Sequence, residues 1–346
     1  MSMLPERPDL SGLDADIVDY IEALEAALDE AETSGSGRAP RAETALEPSE
    51  PPTTMNIISI SRDGMAKRTP RHLYFRQRRG GMGVFDIETP EDDPPAFLAA
   101  ADESAGLVLI TNQARAFRLA VRNLPEMPVR GRGESVFAGI TLRPNETLAL
   151  AFADAGGSHV ALISARGQVR RIAAHYFGQN LQPGTVLYDV KEGGPPAAAC
   201  WTTGDGDLFL ATQNGQAIRF SERQVPVRGC LGMRVDREDA IIGAAAVYEE
   251  SGIFLVTDEG KGTIRLMSGF SANKAPGSGG KTAIKAEKLV GVAAVSADDD
   301  LFLISRLGKV IRFEADEVPA KEGVVQGVNC MNLRADSCTA TVASRI

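Results

Sequence analysis

Tyr74-Phe75-Arg76-Gln77-Arg78-Arg79-Gly80-Gly81-Met82-Gly83-Val84 runs three arginines straight into a glycine turn. An arginine guanidinium grips phosphate oxygens in a planar fork, and glycine lets backbone amides come close to a bound group. Upstream stand Arg62, Lys67, Arg68 and Arg71, so residues 62–79 hold seven Lys or Arg against one acid, Asp63. This is a phosphate-facing pattern, and many such basic loops are merely solvated. Other chemistry is poorly represented. Cys200, Cys230, Cys330 and Cys338 form no C-x-x-C pair and read as reduced structural thiols, while His72, His159 and His175 stand apart from them and from one another. No metal or other cofactor is expected. Gly277-Ser278-Gly279-Gly280-Lys281 lacks the spacing and final hydroxyl of a nucleotide-binding P-loop.

The elements that must position the basic loop come from a repeat. Six copies of a short apolar run end in Ser or Thr, two variable residues and a turn, with an arginine on the return. The turn residues are Gly64, Ala114, Gly167, Gly215, Gly260 and Gly308, separated by 50, 53, 48, 45 and 48 residues. That period suits four-stranded propeller blades, each opening with a hairpin. Two further strand-like runs complete each unit, for instance Leu231 to Val235 and Ile241 to Val247 in the fourth. Helical periodicity is absent from this region. The expected class is all-β, with six blades over residues 55–346.

Each copy places an arginine on its second strand: Arg68, Arg118, Arg171, Arg219, Arg265 and Arg312. Six at one position imply either a repeated structural ion pair or a continuous basic track around one rim. Lys67, Arg115, Arg122, Arg166, Arg170, Arg223 and Lys309 lie beside the row. A phosphate track would bind nucleic acid with little sequence preference and strong salt dependence.

Charge is unevenly spread. The net of -9 divides into -10 over residues 1–54 and +1 over the rest. Leu13, Ile17, Ile21, Leu24 and Leu28 recur at helical spacing among acids, predicting an amphipathic helix over about residues 14–32 that could self-associate or dock on a partner. Residues 33–54 are rich in Gly, Ser, Pro and Glu and read as a flexible linker. No apolar run reaches the roughly 18 residues a membrane span needs, and no signal peptide is evident, so a cytoplasmic protein is expected. The acidic stretch from Asp86 to Asp93 is an unfavourable neighbour for a polyanion.

The repeat together with Gln77-Arg78-Arg79-Gly80-Gly81-Met82-Gly83 resembles the C-terminal DNA-wrapping domain of the gyrase A protein of DNA gyrase, and its relative in topoisomerase IV. The stretch is similar to the family's gyrase-A box, Q-R-R-G-G-K-G, with Met82 where lysine is usual; Lys67-Arg68-Thr69-Pro70 also matches. The resemblance implies a β-pinwheel that bends double-stranded DNA around a basic outer rim and is nucleoid-associated. Carried over by position, the box is Gln77, Arg78, Arg79, Gly80, Gly81 and Gly83, and the expected DNA contacts are these with Lys67, Arg68, Arg118, Arg170, Arg171, Arg219, Arg265 and Arg312. The family's nucleophilic tyrosine follows an arginine. Tyr20, Tyr74, Tyr176, Tyr188 and Tyr248 do not, so strand cleavage by this chain is not expected. A split topoisomerase acting with a separate catalytic subunit, or a protein-interaction platform, are the alternatives.

Overall fold

The computed structural model describes residues 17–18, 50–273 and 275–345. Contacts divide the chain into two units, Met1–Glu47 and Pro48–Ile346. Of the first, only Ile17 and Val18 are described, both helical; the helix expected over residues 14–32 and most of the linker otherwise lie outside the described residues.

The second unit is all-β, with six blades. Each begins with an antiparallel hairpin: 55–61 with 65–70, 106–111 with 115–120, 159–164 with 168–173, 207–212 with 216–221, 252–257 with 261–266, and 299–305 with 309–314. The first strands are apolar without alternation because both of their faces are covered. Ile58 and Ile60 of the first blade pack with Leu107 and Leu109 of the second, whereas Ile57 packs with Phe302 and Ile304 of the sixth. Six such cores fill six junctions between blades, and the core between the sixth and first blades closes the ring.

The third strand of each blade lies innermost and touches its counterparts on either side. Little room remains there, which explains runs such as Ala99-Ala100-Ala101 and Gly243-Ala244-Ala245-Ala246. A Cβ on Gly243 would stand 2.4 Å from Val292 Cγ2, and one on Gly291 would stand 2.5 Å from Thr341 Cγ2.

The fourth, outer strand comes from the next repeat. Glu134–Ser135 of the second repeat pairs with the first blade, and Cys230–Leu231 of the fourth pairs with the third. The assignment of residues 231–235 to the fourth blade is therefore corrected, while Ile241–Val247 is that blade's third strand. Around the ring, Val84–Phe85 of the first repeat supplies the outer strand of the sixth blade. The exchange binds the closing junction through the main chain as well as the core. In the fifth blade the crossing segment pairs twice, in parallel at Ala320–Lys321 and antiparallel at Val328–Asn329.

The hairpin turns carry a double constraint. Gly167 has φ +83°, and a Cβ there would meet Met233 O of the crossing segment at 2.1 Å. Ala114 occupies the same position with φ +55°. Helix among the described residues of the blades is limited to short 3-10 turns after the second strands and one α-helical turn, Val190–Gly193.

Candidate nucleic-acid interface

The basic loop lies on the ring's closing seam. After Tyr74, whose ring packs edge-on to Phe302 at 5.7 Å, Arg76 turns inward to Asp300 (3.0 Å) and Glu314 (2.7 Å). Gln77 N donates to Arg312 O (2.7 Å), and Gln77 Oε1 accepts from Gly83 N (3.2 Å), so this side chain staples the loop across its base. Gly80 N donates to Cys330 O (2.8 Å), and Gly81 O accepts from Asn332 N (2.9 Å). Gly83, at φ +70°, passes so close that a Cβ would stand 2.8 Å from Val310 O. With the backbone thus occupied, Arg78, Arg79 and Met82 point their side chains to solvent. Arg79 also reaches Asn329 O (3.2 Å), and its amide donates to Glu317 (3.0 Å).

The repeated arginines take a different position from the one expected. Arg219, Arg265 and Arg312 are 4%, 5% and 1% exposed, and the side chains of Arg68, Arg118 and Arg171 are half-buried. Register explains the row: Arg68, Arg118, Arg171, Arg219 and Arg312, each four residues after its turn, pair across the hairpins with Ile58, Val108, Ala161, Phe209 and Phe302 and share their buried setting between blades. Arg265 comes five residues after Gly260 and pairs with Ile253, so it lies on the opposite face of its hairpin, and Ile264 takes the row's position opposite Phe254. Several clamp the 3-10 turn of the next blade. Arg68 Nε donates to Leu124 O (3.1 Å), Arg219 Nη1 to Met267 O (2.9 Å), and Arg312 Nη1 to Arg71 O (3.1 Å) and Tyr74 O (3.0 Å). Five of the six also face a carboxylate: Glu126, Asp154, Glu222, Asp207 with Glu249, and Asp300 with Glu50. Of the two readings of the row, the geometry is that of a repeated structural ion pair.

Glu50 is the surprise in this set. It binds Arg71 (2.9 Å) and Arg312 (3.1 Å) with its side chain 6% exposed, so the end of the expected linker is fixed to the seam. Desolvation acts to raise its pKa, but hydrogen bonds from Arg71 and the charges of Arg312 and Arg71 outweigh it and hold the carboxyl below its ordinary range.

Lys67 is also internal. Its Nζ donates to Asp86 (2.7 Å), Thr69 (2.9 Å) and Pro128 O (2.9 Å), with no exposed side-chain surface. Tyr74 Oη and Ser59 Oγ complete the set around Asp86 at 2.6 and 2.5 Å. Burial lowers the Lys67 pKa against the pull of Asp86, and burial beside Asp86 pushes Tyr74 well up. At the other end of the acidic stretch, Asp93 accepts from Ser61 Oγ (2.7 Å) and Asp63 N (2.7 Å). Both terminal acids are thus committed internally, leaving Glu88, Glu91 and Asp92 exposed. Arg170 lies beside Tyr188 and donates to Arg228 O (3.0 Å), and Arg115 pairs with Glu146 (2.6 Å).

Beyond the basic loop, Arg122, Arg166 and Arg223 of the bases beside the row are exposed, and a further set of exposed cations sits where the sequence pattern places none. Each repeat reaches its outer strand through a segment equivalent to residues 77–83. These carry Arg130 and Arg132 in the second repeat, Arg228 in the fourth, Lys281 in the fifth and Lys321 in the sixth, all exposed. Arg130 and Arg132 meet the exposed Glu88 at 3.5 Å each, and their side chains remain 73% and 85% exposed. A signal was present: Arg130-Gly131-Arg132-Gly133, Arg228-Gly229 and Gly279-Gly280-Lys281 share a glycine beside a base just ahead of a two-residue strand.

A closed ring of six blades with exchanged outer strands defines a β-propeller-like pinwheel. The family described as "DNA gyrase C-terminal domain, beta-propeller" matches residues 56–93, 107–153, 206–247 and 299–336. Four of the six repeats, just under half of the chain, match that family. It is 28% identical over 295 residues to the gyrase A protein of DNA gyrase from Mycolicibacterium smegmatis (strain ATCC 700084 / mc(2)155), covering 80% of this chain and 34% of the relative. With the gyrase A protein of Staphylococcus epidermidis (strain ATCC 12228 / FDA PCI 1200) the identity is 25% over 306 residues, covering 84% and 34%. The chain therefore spans about a third of the length of these relatives. A solved DNA gyrase A C-terminal domain shares the fold at TM-score 0.74 and 20% identity, over 84% of this chain and 100% of that one. The C-terminal domain of DNA topoisomerase IV aligns at TM-score 0.59 and 17% identity, over 84% and 93%. No helix among the described residues is long and apolar enough to cross a membrane.

Proposed function

We propose that this chain binds double-stranded DNA without sequence preference and bends it around the outer edge of the ring, without cleaving it. The observation that carries the reading is the set of exposed cations on the segments leading to the outer strands: Arg78, Arg79, Arg130, Arg132, Arg228, Lys281 and Lys321. They lie on the perimeter side of the blades, opposite the crowded inner strands, where successive phosphates of one duplex can be met in turn. The buried arginines support this role indirectly by holding adjacent blades at fixed angles.

Similarity to proteins that extend well beyond the matched stretch favours a second proposal, that the ring works beside a gyrase-like or topoisomerase-like catalytic subunit. Co-purification with such a partner, lost when residues 1–47 are removed, would support the tail as the docking segment. Binding of a labelled duplex measured against salt tests the first proposal. The log–log slope should be steep, and should flatten by about two units when Arg78 and Arg79 are both replaced by Ala. An unchanged slope would overturn the assignment of those residues.

A further inference from the structure

Met82 stands beside the closing end of the stapled basic loop, just past the turn at Arg79-Gly80, 47% exposed and with a glycine on either side. The backbone beneath it is committed on both flanks. Gly80 N is bonded to Cys330 O, Gly81 O to Asn332 N, and Gly83 N to Gln77 Oε1. A Cβ on Gly81 would stand 2.6 Å from Gln77 Oε1, so the support is close-fitting. The side chain therefore projects from a rigid base.

The segment around it exposes an unusual share of apolar side chains. Among the described residues, five of the twelve exposed large hydrophobic side chains fall between positions 73 and 85: Leu73, Phe75, Met82, Val84 and Phe85. Arg78 and Arg79, both exposed, lie in the same segment. A segment that exposes this many apolar side chains beside arginines is poorly suited to water and well matched to a polyanion with an apolar interior. DNA is such a partner, because phosphates meet the arginines while an unstacked base step accepts an unbranched apolar side chain.

We propose that Met82 is a wedge that inserts between adjacent base pairs of DNA held by Arg78 and Arg79, so that the first repeat kinks the duplex as well as gripping its backbone. The inference rests on DNA binding at the ring's outer edge and adds to it a mode of deformation. Insertion costs the stacking of one step, and the bend brings more duplex against the cations of neighbouring blades. The flanking arginines supply affinity; Met82 supplies the kink.

Duplex DNA bearing 2-aminopurine at several adenine positions reports unstacking as a rise in fluorescence, read with the full chain at saturation and compared with anisotropy of the same duplex. The wild-type protein should produce the rise. Met82→Ala should lose it while still binding, and Met82→Lys should lose it while steepening the salt slope by about one unit. Binding by the wild-type protein without any fluorescence rise, or a rise kept in both variants, overturns the wedge and leaves DNA binding intact. Absence of DNA binding at low salt overturns both readings. A patch that pairs two copies of the chain would show as dimer lost in Met82→Lys with fluorescence unaffected, which also overturns it. Met82 is exposed and outside every core, so neither variant is expected to disturb folding.

Discussion

Arg312 and Arg78 are both arginines on the closing seam, and they differ in almost every physical respect. Arg312 recurs in register with four others, Arg68, Arg118, Arg171 and Arg219, is 1% exposed, and ends on Asp300, Glu50 and two carbonyls of the next blade. Arg78 belongs to no strict repeat and is exposed in a loop whose backbone is already bonded. Periodicity in a ring of packed blades marks what most junctions share, the fifth blade having Ile264 at that position. Under the proposed function, DNA contact falls instead to residues whose placement varies from blade to blade, on segments that only begin the outer strands.

The comparison can be broken most severely from the inside. Arg312→Ala leaves two carboxylates and two carbonyls without their buried partner, and should destabilise the ring by about 3–5 kcal/mol in denaturant unfolding. A loss below about 1 kcal/mol would mean that the row is not structural.

Glu50→Gln probes the same cluster more gently, through pH. The Glu50 carboxyl is held below its ordinary 4.5 in the folded state, so its stabilisation is present above that value and is lost as pH falls through the lowered folded value. Stability measured from neutral to acid pH should fall less steeply in the variant. Parallel curves would remove Glu50 from the seam's energetics.

On the outside, Arg78→Ala with Arg79→Ala should change stability by no more than about 0.5 kcal/mol while weakening DNA binding. Loss of folding in this variant would erase the distinction between the two sets. Arg130→Gly is the smallest and sharpest case. Arg130 sits at φ +67°, so glycine relieves the backbone and should be neutral or stabilising by up to about 1 kcal/mol, while the salt slope of DNA binding flattens by about one unit. Thermal unfolding and anisotropy on one preparation read both.

Much of the ring is legible in the sequence because its hairpins are local. The apolar run, the Ser or Thr and the turn lie within a dozen residues, and Gly64, Ala114, Gly167, Gly215, Gly260 and Gly308 all adopt positive φ. What cannot be read is non-local. Cys230–Leu231 crosses to the third blade and Val84–Phe85 crosses the whole ring to the sixth, and neither two-residue strand carries a pattern long enough to reveal its partner. The arginine row is plain in the sequence, but alternation along one hairpin does not say whether the far side is solvent or another blade. Lys67 reads as an outward contact for the same reason, since its partner Asp86 reaches it by way of the swapped strand. Gln77 is identified from the box, whereas its stapling role depends on how the chain folds back at Gly83.

Ligation of nicked circular DNA in the presence of the protein, followed by removal of the protein and reading of the linking number, tests the outer-edge assignment most directly. A shift that grows with protein concentration and disappears for Arg78→Ala with Arg79→Ala is the predicted result. An unchanged linking number on circles to which the protein is demonstrably bound would contradict wrapping around the ring.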